Sequence, residues 1–353
     1  MKTVLANQPA IAARPLARIS QRFLKPFESS RGSSRQLISR ISRQSIWLLL
    51  ILSTAVFAHA SPHFLTGYNL SSILLESASI GFLGIGMTFL IGSGNLDLSV
   101  GSTVALAGVL SVSLLPYGLS IALLVTLLIT SLVGIFIGVL IRVSGVPSFI
   151  VTLAAMMALR GLVFALTNEQ SISATDDQFT NLGSLSLGPI PAIGVLYLAL
   201  TLVAHFILTD TVHGRNTIAI GSNVSVAESV GIRAGRHIIA NFGMLGFLAG
   251  LSGISLAMQM GSATPVLGKD YELWTIAAVV LGGTRLTGGL ATVIGTLAGV
   301  LEISVLQNGM GLLNVPPFFV YIVLGGALIA ALLFNRPINY RYTHSPAANT
   351  PRL

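Results

Sequence analysis

Residues with chemistry to offer are few in this 353-residue chain, and they stand far apart. There is no cysteine, so thiolate metal sites, cysteine nucleophiles and disulfides are excluded. His59, His63, His205, His213, His237 and His344 are scattered, and neither H-E-x-x-H nor G-x-S-x-G occurs. A metalloenzyme or hydrolase is therefore not expected. Gly268-Lys269-Asp270 lacks the hydroxyl that completes a phosphate-cradling loop, so no nucleotide site is visible either. The expectation is a chain with no catalytic residues, no metal and no cofactor of its own. Any work it performs must be driven from elsewhere.

What remains is a set of ionisable groups inside apolar runs: Glu76, Asp97, Arg160 and Glu302. An unpaired charge in hydrocarbon costs several kcal/mol, so such groups relay protons or bond between helices. No dense acidic or histidine chain accompanies them, so structural bonds are expected and an ion-coupled carrier is disfavoured. Asp97 differs. It lies in Ser93-Gly94-Asn95-Leu96-Asp97-Leu98-Ser99, a polar, glycine-bearing break between two apolar runs. Asp97 or Ser99 can cap the helix that follows, the carboxylate being favoured by the helix dipole. Such a break can also line a transport path, which makes Gly94, Asp97 and Ser99 path candidates. Residues 281–301 echo residues 90–110 without a gap, matching Leu90 to Leu281, Gly92 to Gly283 and a shared Leu-Ala-Gly-Val-Leu. Corresponding interrupted segments point toward the pathway in transporters, and this adds Gly283 and Thr284.

The elements that must hold these residues are apolar helices. Apolar residues make up 53% of the chain and charged residues only 8%, against about a quarter charged in a soluble domain. The fold class is all-α and polytopic. Runs of about 17–25 apolar residues, enough to cross about 30 Å of hydrocarbon, predict about ten spans. They fall at 46–61, 71–92, 99–115, 119–141, 148–166, 190–209, 238–260, 272–284, 290–306 and 318–334. The eighth is short and the ninth rich in Gly and Thr, so either can be re-entrant or broken.

Nine of the 19 basic residues but only one of the 11 acids fall in residues 1–45, leaving ten of each sign in the rest. The net charge of +8 thus belongs to a basic tail, expected to be disordered and held at anionic lipid. Its Arg-rich, acid-poor character also fits a mitochondrial transit peptide. Nucleic acid is not an expected partner. If the tail is cytoplasmic, the connections on that side carry Arg142, Arg215, Arg233, Arg236 and Arg285, and the C-terminal segment carries Arg336 and Arg341. The other side receives Glu169, Asp176, Asp177, Asp270 and Glu272 with only Lys269. This positive-inside pattern predicts cytoplasmic N- and C-termini. The expected organisation is a tail at 1–45, a membrane domain at 46–335 and a cytoplasmic tail at 336–353. Gly134/Gly138, Gly246/Gly250 and Gly295/Gly299 are spaced for close helix packing, expected within one subunit rather than across a dimer seam.

The connection at about 214–233 is the most informative segment. Ser222 or Asn223 can cap a short helix there and Gly231 can end it, which describes a docking peg for a soluble partner as well as an ordinary amphipathic loop. Three blocks together resemble the permease subunits of bacterial ATP-binding-cassette importers of the ribose, galactose, xylose and arabinose type. They are SGNLDLSVGS (93–102), GRNTIAIGSNVSVAESVGI (214–232) and AAVVLGGTRLTGGLATVIGTLAGVL (277–301), with GVPSFIVTLAAMMALRGL (145–162) and NGMGLLNV (308–315) agreeing in order and spacing. The resemblance runs from about residue 46 to 335. It implies that 222–232 is a coupling helix that docks in an ATPase cleft, with Arg215, Asn223, Ala227 and Gly231 as coupling residues. The chain departs from the family pattern at Val224, where an acid is common, and at Glu228, where a base is common. The resemblance further implies a cytoplasmic ATPase that binds the ATP, a periplasmic sugar-binding protein, a second permease subunit and a place in the inner membrane. The solute it implies is a monosaccharide, with a nucleoside, a polyol or another small solute as alternatives.

Overall fold

Lipid is as apolar as leucine, so in a membrane bundle small and polar residues, rather than apolar ones, mark the inside. The computed structural model, which describes residues 46–334, follows that rule. The expected tails at 1–45 and 336–353 lie outside the described residues. Helices α1 (46–60), α2 (Gly67–Gly92), α3 (Val100–Ser113), α4 (Leu119–Ser144) and α5 (Ser148–Thr167) come first. Next are α6 (Asp177–Ser184), α7 (Ala192–Asp210), α8 (Val212–Ser222), α9 (Val224–Ser229) and α10 (Ala234–Met260). The last three are α11 (Tyr271–Leu281), α12 (Val293–Leu312) and α13 (Pro317–Phe334). Each expected span overlaps a helix. Among the described residues, six (α2, α4, α5, α7, α10 and α12) are long and apolar enough to cross a membrane, while α1, α3 and α11 are shorter.

The three most buried of those six carry the small and polar residues. Helix α2 buries Ser77, Ser79, Gly81, Gly84, Gly86 and Thr88, and α10 buries Asn241, Gly243, Gly246, Gly250, Ser252 and Gly253. By contrast α5, more apolar than any of these three, is largely exposed. The seam between α4 and α10 shows why glycine is needed. A side chain at Gly134 would strike the Phe242 carbonyl, and one at Gly246 would strike the Thr130 carbonyl. Gly295 and Gly299 similarly pack on Gly282 and Ala278. All three glycine pairs therefore work within the subunit, as expected. Polar ties cross the remaining seams: Thr88 Oγ1 to Thr296 Oγ1 at 2.7 Å, Ser252 Oγ to the Ser79 carbonyl at 2.7 Å, and Ser102 Oγ to the Met156 carbonyl at 2.9 Å. Ser53 Oγ donates to Glu302 Oε2 at 2.9 Å, so Glu302 makes the inter-helix bond expected of it.

One charge stands elsewhere than the loop pattern implied. Residues 264–270 do not stay at the bundle end with the two-stranded pair of Ile172–Ser173 against Ser262–Ala263. They turn back inside: Leu267 is buried in the main core, and Gly268 packs against Val104. The two carbonyls of Pro265 and Leu267 accept from Arg160 Nη1 at 2.8 and 3.1 Å. Helix α11 consequently starts mid-bundle and, with 11 residues, reaches about 16 Å, half the hydrocarbon thickness. Glu272, assigned from sequence to the outer loop, lies against Gly101 instead. The eighth expected span is thus a short helix of 11 residues.

The sequence echo is also structural. α2 ends at Gly92 and α3 begins at Val100; α11 ends at Leu281 and α12 begins at Val293. The Gly289 N–H donates to the Gly92 carbonyl at 3.0 Å, so the two breaks touch.

Candidate functional site

Three segments meet at one end of the bundle: the break at 93–99, the break at 282–292, and the α8–α9 unit. Gly221, near the end of α8, lies so close to the Gly92 carbonyl and the Gly289 amide that any side chain there would collide with both. Gly288 packs against Gly221 and Gly94. The two halves of the sequence echo and the proposed peg therefore share one junction.

The peg forms for local reasons. Asn223 ends α8 and starts α9, its Oδ1 accepting from the Val226 N–H at 3.0 Å. Gly231, at φ 89°, closes α9 with its N–H on the Glu228 carbonyl at 3.0 Å. Ala227 turns inward, 3% exposed, onto Ile220 and Ala234. Val224, Val226 and Val230 face outward at 44, 59 and 72% exposure. Arg215 Nη1 donates to the Asp210 carbonyl at 3.2 Å, at the C-terminus of α7, where a cation suits the helix dipole.

A polar network that spacing alone did not reveal holds α8 to the bundle. His213 and His237 stack with ring centroids 4.0 Å apart. His213 Nε2 pairs with Asn241 Oδ1 at 2.8 Å and His237 Nε2 with Thr217 Oγ1 at 2.9 Å. Asn241 Nδ2 reaches Ser93 Oγ at 3.5 Å, in the first break. The two histidines are 24 positions apart, so only the packing of α8 on α10 brings them together.

The five path candidates all stand at the two helix breaks, where their bonds and contacts are local. Asp97 Oδ1 accepts from the Ser99 N–H at 2.7 Å and from Ser99 Oγ at 2.6 Å, so Asp97 holds the entry to α3. Gly94 sits at the junction, and Gly283 precedes Thr284, whose Oγ1 accepts from the Thr292 N–H at 3.2 Å and closes the second break. None of them lines either of two cavities near the opposite bundle end. The first of those cavities is lined instead by Glu76, Ser79, Gln259, Gln307 and Asn308, isolated polar residues in apolar helices. Their types are a signal readable in the sequence; their convergence is not.

Six helices long and apolar enough to cross a membrane, with shorter apolar helices packed among them, mark a polytopic membrane protein. Residues 69–332 match a family described as branched-chain amino acid transport system / permease component, and the chain belongs to that family. It is 36% identical over 314 residues to the L-arabinose ABC transporter permease protein AraH of Azospirillum brasilense, covering 87% of this chain and 90% of that protein. It is 38% identical over 297 residues to the ribose import permease protein RbsC of Bacillus subtilis, covering 82% and 91%. It is 31% identical over 297 residues to the D-allose transport system permease protein AlsC of Escherichia coli, covering 83% and 91%. No solved structure matches.

Proposed function

We propose that this chain is the membrane-spanning subunit of an ATP-binding-cassette importer in a bacterial inner membrane, and that it forms the path for a monosaccharide. The observation that carries this reading is the similarity, along more than four-fifths of the chain, to permeases named for arabinose, ribose and allose. A periplasmic binding protein delivers the sugar at the loop-rich end that carries α6. A cytoplasmic ATPase docks at α8–α9, and a second permease subunit, a copy or a sister chain, completes the pore. Both chain termini then lie in the cytoplasm.

The geometry supports a mechanism of alternating access. The exposed side chains of Val224, Val226 and Val230 offer the ATPase an apolar patch. Ala227 supports the peg from beneath rather than touching the partner. Movement of α8 passes through Gly221 to both breaks and through the His213–His237 pair to α10. Coupling requires only that the two states differ in their contacts with the ATPase.

The family description names amino acids, which is the competing solute class. The larger cavity is lined by one carboxylate and no cationic side chain, which favours a neutral solute over an anionic one. The test is uptake of radiolabelled L-arabinose, D-ribose and leucine by vesicles holding this chain with its ATPase and binding protein. ATP-dependent uptake of a sugar is expected. Solute accumulation by this chain alone on an ion gradient overturns the reading.

A further inference from the structure

Toward the bundle end that carries α6, helices α2, α10, α11 and α12 enclose a cavity of about 500 Å³, within the range of small-molecule sites, about 300–1,000 Å³. Glu76 and Ser79 stand one turn apart on α2; Gln259 enters from α10, Tyr271 from α11, and Gln307 and Asn308 from α12. A second cavity of about 480 Å³ runs beneath α6 and shares Gln259, so polar side chains lead inward from the loop-rich end.

The groups in this lining are not equally committed. Asn308 Oδ1 accepts from Asn69 Nδ2 at 2.9 Å, and Gln259 Nε2 donates to Ser255 Oγ at 3.1 Å. Ser79 Oγ and Gln307 Nε2 are buried with no hydrogen-bond partner among the described residues, and Ser79 is 1% exposed. Polar atoms left unpaired inside a bundle are costly, so such groups persist where a ligand or water satisfies them. The set here is a hydroxyl, an amide donor and a carboxylate acceptor, matched to a solute whose every group both donates and accepts. Tyr271, stacked on Trp274 with centroids 5.5 Å apart, adds an aromatic face for ring C–H groups.

We propose that this cavity is a way-station that binds a neutral, hydroxyl-rich solute of monosaccharide size through Gln307 and Ser79. The proposal rests on the importer reading and deepens it. Tyr271 is the first residue of α11, and the break after α11 ends at the Gly221 junction. Displacement of the peg therefore shifts one wall of the cavity.

Two measurements test it in the full complex in vesicles. In the first, Gln307→Met and Ser79→Ala are compared with wild type for ATP-driven L-arabinose, D-ribose and D-allose uptake. Removing a partner of a buried hydroxyl is expected to lower uptake about tenfold, with recovery of the intact complex by size-exclusion chromatography as the check on assembly. Ser79→Ala removes a single oxygen and carries this arm if Gln307→Met does not assemble. In the second, Asn308→Cys provides the sole thiol of the cysteine-free chain, and labelling by an impermeant maleimide is followed. L-Arabinose is expected to slow labelling, whereas leucine and uridine leave it unchanged. Uptake unaltered in both variants, or labelling indifferent to all three sugars, overturns the cavity assignment. Wild-type uptake judges the importer reading separately, because protection of the thiol requires no transport cycle.

Discussion

Among single residues, those of the peg divide into a face that supports and a face that contacts. Val226 on α9 and Val230 just after it are exposed while Ala227 faces inward, so these valines are where the proposed ATPase would dock. Val226→Asp is expected to leave membrane insertion and basal ATP hydrolysis intact and to cut ATP-driven uptake at least tenfold. Undiminished uptake in Val226→Asp would place the docking surface elsewhere. Asp97 is a different kind of residue, because it accepts two bonds from Ser99 and makes none to another helix among its described bonds. Asp97→Ala should destabilise the solubilised protein by about 1–3 kcal/mol, as losing a cap and orphaning a buried donor does. Asp97→Asn, which keeps an acceptor oxygen, should lose less, and thermal unfolding in detergent measures both.

At the level of helices, close approach of backbones governs the architecture. At the α4–α10 seam the obstacle to a larger residue at Gly246 is backbone, the Thr130 carbonyl, which cannot rotate away. Gly246→Leu is expected to lower stability by about 1–3 kcal/mol or more, the usual cost of overpacking. Gly161 on the exposed face of α5 has nothing within 4 Å, so Gly161→Leu should change stability little. Equal losses in the two variants, read from unfolding midpoints, would show that the seam is not tight. The half-length α11 follows from the same packing. Leu267 and Gly268 find places beside Gly108 and Val104, so the chain enters the bundle before helix begins. Hydropathy registered a short apolar run there but had no means of locating its depth.

For the whole molecule, the proposed orientation makes opposite ends face opposite compartments. Gln178→Cys on α6 and Glu228→Cys on α9 each introduce one thiol into a chain that has none. An impermeant maleimide added to spheroplasts should label position 178 directly and position 228 only after permeabilisation; the reverse pattern would invert the topology. The membrane class, the positions of the apolar helices, the repeated break and the capped peg were all legible in the sequence. Each depends on composition or on neighbours a few residues apart: apolar run length, Asn223 beside its own helix, Gly231 at its end. The stacking of His213 on His237, the packing of Glu272 against Gly101, and the convergence of Glu76, Ser79, Gln259 and Gln307 were decided only by tertiary structure. Those contacts join distant helices, and in a membrane the apolar pattern that would orient a helix in water is the same toward lipid as toward protein.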